Sequence, residues 1–380
     1  VCDRERTVEG DVVSVFPRTW RLYFFPRAEF RLLSPFVSIL DTGARARVAS
    51  STRAMGAPAL PTSTHATLAG HDGPVLAARF SKDGAYLLTA GKDRTFRLWN
   101  PRKGTCIKTY AGHAREVRDV DAAADNSRLA TCGGDKDVFL WDVTSGSRLR
   151  RFRGHEGGVN AVAFAGENDS VVVSAGFDRT VRFFDARSAR DAMHVIGGIG
   201  FDRDENENET FRDAVTSVAV SDTKILAGSV DGTAKTFDVR AGVARSDDFG
   251  TDNPVVSVAF SGDGACALVG TVNDRLALLD IEQGELLAEY RGRACRHSKV
   301  SARLTHDDAH VVAAGEDGVV TMWDLVDAKV MARVDAHVSP RVAVTALDWH
   351  PKRSVMATGG ADGNVRVWVP PGESERYARA

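Results

Sequence analysis

The stretch "TAGKDRTFRLWN", Thr89 to Asn100, places a hydroxyl side chain four residues before an acid and the acid six residues before an aromatic. The same form returns as "TCGGDKDVFLWD" at Thr131 to Asp142 and as "SAGFDRTVRFFD" at Ser174 to Asp185. A Gly-His pair precedes each copy, giving His71, His113 and His155. Hydroxyl, acid and histidine are the parts of a hydrolytic triad. A reaction centre needs one such set in a cleft. Several copies at a fixed interval point instead to something each structural unit requires.

Working outward, the aromatic recurs as Trp99, Trp141, Phe184, Phe237, Leu279 (degenerate), Trp323 and Trp368, at intervals of 42, 43, 53, 42, 44 and 45. Six residues before these stand Asp93, Asp135, Asp178, Asp231, Asn273, Asp317 and Asp362. An acid or its amide in every copy is the signature of an internal repeat. Inside each unit, short runs such as "VLAARF", "YLLTA" and "TFRLW" alternate with turns such as "KDG", "KDRT" and "EDG". Closely spaced short strands with Gly/Asp turns read as all-β. Four strands in about 42 residues make a propeller blade.

"LAGH…TAGKDRTFRLWN" and "YAGH…TCGGDKDVFLWD" resemble WD repeats, and the likeness spans roughly residues 64 to 370. The resemblance implies a buried hydrogen-bonded tetrad per complete blade. By position these are His71, Thr89, Asp93 and Trp99; then His113, Thr131, Asp135 and Trp141; then His337, Thr358, Asp362 and Trp368. The third unit has His155, Ser174 and Asp178 with Phe184, so its set should stop short of an indole. The fourth to sixth units lack the Gly-His, with Gly292-Arg293 at the sixth. Satisfaction explains the set, because a buried imidazole and carboxylate are costly alone and tolerable as partners. The last unit runs out before a fourth strand. "THATLAG", Thr64 to Gly70, has the form of an orphan outer strand that would complete it and remove the free edges. The expected architecture is a seven-bladed WD-repeat β-propeller over 63–370, its last blade closed by an N-terminal strand.

"VSDTKILAGSVDGTAKTFDVRAG", "LLDIEQGELLAEYRG" and "HDDAHVVAAGEDGVVTMWDLVDA" look like the mitogen-activated protein kinase organizer family of small WD-repeat proteins. That resemblance implies a non-enzymatic scaffold for kinase-cascade or spliceosomal components, cytoplasmic and nuclear. It implies a monomeric propeller that meets RNA only inside a complex. An alternative is a substrate receptor of a cullin-type ubiquitin ligase. "FFDAR" and "TFDVR" resemble the aromatic-Asp-x-Arg docking box, with Arg187 and Arg240 as docking residues and Phe in place of the usual Trp.

Composition agrees with this class. The 380 residues carry a net charge of -2, so there is no global attraction to nucleic acid. The five scattered cysteines (Cys2, Cys106, Cys132, Cys266 and Cys295) make no C-x-x-C and suggest no zinc site or disulfide framework. No phosphate-binding, zinc-protease or nucleophile-elbow motif occurs, so no catalytic residue, cofactor or metal is expected. No run approaches the ~18 apolar residues of a membrane span, and no membrane partner is expected.

Three segments do not repeat. Residues 1–62 hold nine Arg, no Lys and six acids and begin with Val; they read as a disordered extension or a gene-model artefact with Met55 as the natural start. An Arg-rich transit peptide is the competing reading, opposed by the acids. The longest interval marks an insertion of about ten residues within Ile196 to Ala214, where Asp202, Asp204, Glu205, Glu207, Glu209 and Asp213 outnumber two arginines. It reads as a solvated loop on the Gly-His face. Residues 371–380 read as a polar tail.

The Gly-His turns and the aspartate turns of a propeller share one face. Residues flanking them are Lys92, Arg94, Arg115, Arg118, Lys136, Asn160, Phe177 and Arg179 in the first three units, against Asp274 and Glu316 in the fifth and sixth. Half of this face should therefore be basic, with Phe177 as an exposed anchor for an acidic protein segment.

Overall fold

The computed structural model describes residues 59–188, 191–198, 210–238, 243–337 and 342–379. Within them the chain forms seven antiparallel sheets of four strands each. Sequence order is spatial order in six of the sheets. The first is made of β2 (Val75–Phe80), β3 (Leu87–Gly91), β4 (Thr95–Asn100) and β5 (Thr105–Ala111). Side chains sort by distance from the axis. Every residue of β3 is buried, whereas β5 is mostly exposed. Tyr110 is the buried residue of β5, and its ring stacks on Phe96 at 4.5 Å. A second strand sandwiched between neighbouring blades must be apolar on both faces; an outer strand needs only one inward anchor.

The seventh sheet combines β26 (Val344–Trp349), β27 (Met356–Gly360), β28 (Asn364–Val369) and β1 (Ser63–Ala69). The closing strand expected at Thr64 to Gly70 is thus present, one residue earlier, running antiparallel to β28 with Leu68 opposite Val365. Leu68 is buried among Val75, Leu87 and Trp99 of the first blade and Val365 and Val367 of the last. One apolar side chain therefore couples the two ends of the ring.

The first strands carry a shared irregularity. Their pairing slips at the second residue in six blades, as between Val75 and Ala77 or Val117 and Asp119. A bulge re-aims the extra side chain. Here the re-aimed residues include Leu76, Arg118 and Val256, which line the central channel.

Both ends of the described chain are docked. The carbonyl of Ala59 accepts a 2.8 Å hydrogen bond from Ser354 Oγ, and Pro61 is buried, so contact with the last blade begins before Ser63. The segment read as a polar tail folds in part into a short helix, α1 (Ser374–Arg379). Its Tyr377 is 4% exposed and meets the His65 ring edge-on at 5.1 Å, while His65 Nδ1 bonds Ser374 Oγ at 2.7 Å. One aromatic anchor holds an otherwise polar segment against β1. Most of the 1–62 extension, Arg240 and the acidic residues Asp202 to Glu209 lie outside the described residues.

Candidate partner-binding face

The tetrads are built by strand geometry. In blade one, Trp99 Nε1 donates to Thr89 Oγ1 at 2.8 Å, and His71 lies 2.8 Å from Thr89 through Nε2 and 2.9 Å from Asp93 through Nδ1. An indole only donates and a carboxylate only accepts. The proton order is therefore Trp to Thr, Thr to His Nε2, and His Nδ1–H to Asp, with a neutral imidazole. Burial lowers the His71 pKa below its ordinary 6.5 although Asp93 pulls it up. Blade two repeats the geometry with Trp141, Thr131, His113 and Asp135 at 2.8–3.0 Å. Blade seven does so with Trp368, Thr358, His337 and Asp362 at 2.9–3.2 Å. In blade three, His155 bonds Ser174 at 2.7 Å and Asp178 at 2.8 Å, and the chain ends there because Phe184 has no N–H to give. Thr89, Thr131, Ser174 and Thr358 are all 0% exposed, so no substrate reaches these hydroxyls. The triad-like set is a structural clamp.

The blades without histidine explain why the acid persists. Asp93 also accepts from the backbone of Thr95 and Asp72, tying the β3–β4 turn to the Gly-His loop. Asp231 keeps both bonds, to Thr233 N at 2.9 Å and Arg212 N at 2.8 Å. The residue in the histidine's place is Phe211, 4% exposed, with Ala227 at the hydroxyl position and Phe237 at the indole position. An apolar trio has replaced the polar one and left the turn intact. Sequence reasoning missed Phe211; its position just before the turn residue Arg212, together with Ala227, was the available signal. In blade six Ala313 removes the hydroxyl, and Trp323 Nε1 donates to the Arg291 carbonyl at 3.1 Å instead.

These clamps hold the residues expected to meet partners. Lys92, Arg94, Arg115, Lys136 and Arg179 are exposed. Arg94, Lys136 and Arg179 follow the turn aspartates and have φ of 65°, 70° and 63°, where blades four, six and seven use Gly232, Gly318 and Gly363. A left-handed non-glycine residue costs about 1 kcal/mol, so three adjacent blades hold a cation where glycine is relaxed. Phe177 is 54% exposed, and the Arg118 guanidinium sits over its ring at 5.0 Å. Arg118 also bonds Glu116 at 2.7 Å and Asn160 Oδ1 at 2.8 Å. Phe177 is therefore presented on a braced cation rather than left loose. Asn160 is placed differently from the rest of the set. It is 8% exposed, its amide donates to the Val215 carbonyl, and its role is to brace the channel wall. On the opposite side, Asp274 accepts from Cys295 N at 2.7 Å, and Glu316 accepts from three successive backbone N–H groups at 296–298. Those acids tie their turns to the 295–298 loop. Arg187 is exposed and pairs with Asp185 at 3.1 Å.

The ring therefore has seven blades closed by β1, full tetrads in blades one, two and seven, and a shortened set in blade three. A family model described as WD domain, G-beta repeat, matches residues 328–369, and one described as nucleolar protein 10-like, N-terminal domain, matches residues 77–273. WD repeat domain-containing protein 83 of Homo sapiens is 41% identical over 311 residues, 82% of this chain and 93% of that protein. This chain belongs to that WD-repeat family. The Rattus norvegicus protein of the same name is 40% identical over 312 residues, with the same coverage. An uncharacterized WD repeat-containing protein of Schizosaccharomyces pombe is 33% identical over 295 residues, 78% of this chain and 94% of its own length. WD-repeat propellers of this kind generally act as protein-interaction scaffolds. Among the described residues no helix is long and apolar enough to cross a membrane.

Proposed function

We propose that this protein is a non-enzymatic scaffold, cytoplasmic and nuclear, that assembles mitogen-activated protein kinase cascade or spliceosomal complexes by docking acidic protein segments on blades one to three. One observation carries the docking site: the exposed Phe177 is braced by Arg118, and the turns of the same three blades expose Lys92, Arg94, Arg115, Lys136 and Arg179. An exposed aromatic fixed on a cation, on a face whose turns carry further cations, has the composition of an interface hot spot. The choice of complexes rests on the resemblance to the kinase-organizer family. Affinity purification from native extract, with the parent chain and with Phe177→Ala plus Arg179→Glu, tests the reading. Both substitutions remove exposed side chains, so the melting temperature should hold while kinases or splicing factors are lost from the eluate. Full recovery of every partner by the double variant would refute the docking site. Recovery of ligase adaptor subunits, lost on Arg187→Ala, would replace the scaffold by the ubiquitin-ligase receptor.

A further inference from the structure

The outermost strands of the blades differ in charge. In blade one this strand is β5, which carries Lys108 and no acid. In blade two it is β9 (Arg148–Phe152), "RLRRF", with no acid and with Arg153 directly after it. The outer strands of blades four, five and six, Val243–Asp248, Leu286–Tyr290 and Val330–Asp335, each include an acid. The cations of blades one and two are held in place but mostly not neutralised. Lys108 Nζ donates across the seam to the Val143 and Thr144 carbonyls of blade two at 3.3 and 3.1 Å. Arg150 Nη2 donates to the Arg187 carbonyl of blade three at 3.1 Å, and the Arg148 guanidinium lies over the Phe139 ring at 4.7 Å. Arg151 pairs with Asp137 at 2.6 Å. Among the described residues, Lys108, Arg148, Arg150 and Arg153 have no carboxylate within ion-pair distance. A carbonyl or a ring fixes where a cation sits and leaves its charge uncancelled.

The same two strands each carry a bulge. Trp99 pairs with Cys106 and Leu98 with Lys108, which leaves Ile107 over. Trp141 pairs with Arg148 and Leu140 with Arg150, which leaves Leu149 over. Ile107 is 49% exposed and Leu149 43%. A bulge interrupts the ladder and re-aims the extra side chain, so these edges are poor templates for another strand. Recognition there has to run through side chains: an aliphatic knob beside uncancelled cations, once on each of two adjacent blades. Blade six has the same bulge at the exposed Met331, on a strand where Arg333 is balanced by Asp335.

We infer that the outer side of blades one and two is a second docking surface, for an acidic protein segment that also carries aliphatic side chains. Charge complementarity places an acidic occupant here and not on blades four to six. The two aliphatic knobs select protein over nucleic acid. Single strands bind by stacking bases on exposed aromatics, and the aromatics of β5 and β9, Tyr110 and Phe152, are buried. A duplex would meet the cations with its phosphates and leave Ile107 and Leu149 uncovered. An acidic segment with interspersed leucines covers both. This surface uses other residues than the face that carries Phe177, and it does not depend on what docks there.

The test titrates the full chain, at about 50 mM salt, into a fluorescent Glu-rich peptide with interspersed leucines and reads anisotropy. A poly-Glu peptide, a single-stranded RNA and an RNA duplex are the comparison probes. The Glu–Leu peptide should bind saturably and more tightly than the other three. Arg148→Glu plus Arg153→Glu should weaken it about tenfold, and the Gln pair at the same positions should fall in between. Ile107→Ser plus Leu149→Ser should weaken it about fivefold. All four side chains are exposed, so melting temperatures should stay near the parent's. Met331→Ser and Arg179→Glu should leave the affinity near the parent's. The surface is overturned if the parent shows no saturable binding, or if the blade-one and blade-two variants bind as the parent does. Loss on Arg179→Glu alone would move the peptide to the Phe177 face, overturning this surface and leaving the other docking face standing. RNA that binds more tightly than the peptide and is lost on Arg148→Glu plus Arg153→Glu would overturn the protein occupant.

Discussion

Asp135 shows how much one side chain of this fold can hold. It accepts from His113 Nδ1 and from the backbone of Ala114, closing a tetrad and tying two loops together. Burial opposes its ionised form, yet the bonds from His113 and the backbone hold its pKa below the usual carboxylate value. Asp125, by contrast, is exposed and bonds only Ser127 in its own turn. Asp135→Ala should cost on the order of 2–4 kcal/mol and Asp125→Ala well under 1 kcal/mol. Urea unfolding of the two variants compares them, and equal losses would dismiss the clamp. Acid should find a different residue first. His350 is 2% exposed, and burial followed by Arg353 lowers its pKa to about 4. The unfolded chain, with an imidazole near 6.5, then binds more protons than the native one, so stability falls as pH drops from about 6.5 to about 4. The lowered aspartates of the tetrads extend the loss below pH 3.8. His350→Asn retains an acceptor for the Lys352 N–H now held by Nδ1 and should flatten the upper part of that pH profile. An unchanged slope in thermal melts would assign it elsewhere.

At the scale of elements, β1 matters beyond its seven residues. It fills the outer edge of the last blade, and Leu68 packs into both terminal blades. A propeller whose ends are not joined exposes strand edges and the flanks of two sheets. Removal of residues 1–54 should therefore leave the melting temperature nearly unchanged. Removal of 1–70 should give aggregated or unfolded protein, read by size-exclusion chromatography and circular dichroism. Similar behaviour of the two truncations would mean that closure does not depend on β1. The closing strand was legible in advance because "THATLAG" has the outer-strand form and the last repeat lacked one. Helix α1 was not, because its six residues are polar apart from Tyr377 and one alanine, and no periodicity survives in so short a piece. What secures it is the His65 ring, more than 300 positions earlier.

On the scale of the whole molecule, charge distribution matters more than net charge. The total of -2 conceals a basic arc over blades one to three and, opposite, acids engaged by the backbone of the 295–298 loop. Docking of an acidic segment on exposed cations is screened within about 8–10 Å at physiological salt. Capture of partners by the parent chain should accordingly weaken as salt rises from about 50 to 500 mM, and the Arg179→Glu variant should show a shallower dependence. Identical salt profiles would place the contact off this arc. The sequence alone determined the blade count, the strand order, the turn acids and four of the clamps. Each blade must fill the same niche against its neighbour, so the same residue types recur at the same offset. Only the tertiary structure decided that Phe211, Ala227 and Phe237 stand in for a clamp, that Asn160 braces the wall, and that Lys299 Nζ donates to the Asn160 carbonyl of blade three. Those contacts join residues tens to hundreds of positions apart. Their distances are set by the circumference of the closed ring, which no local period encodes.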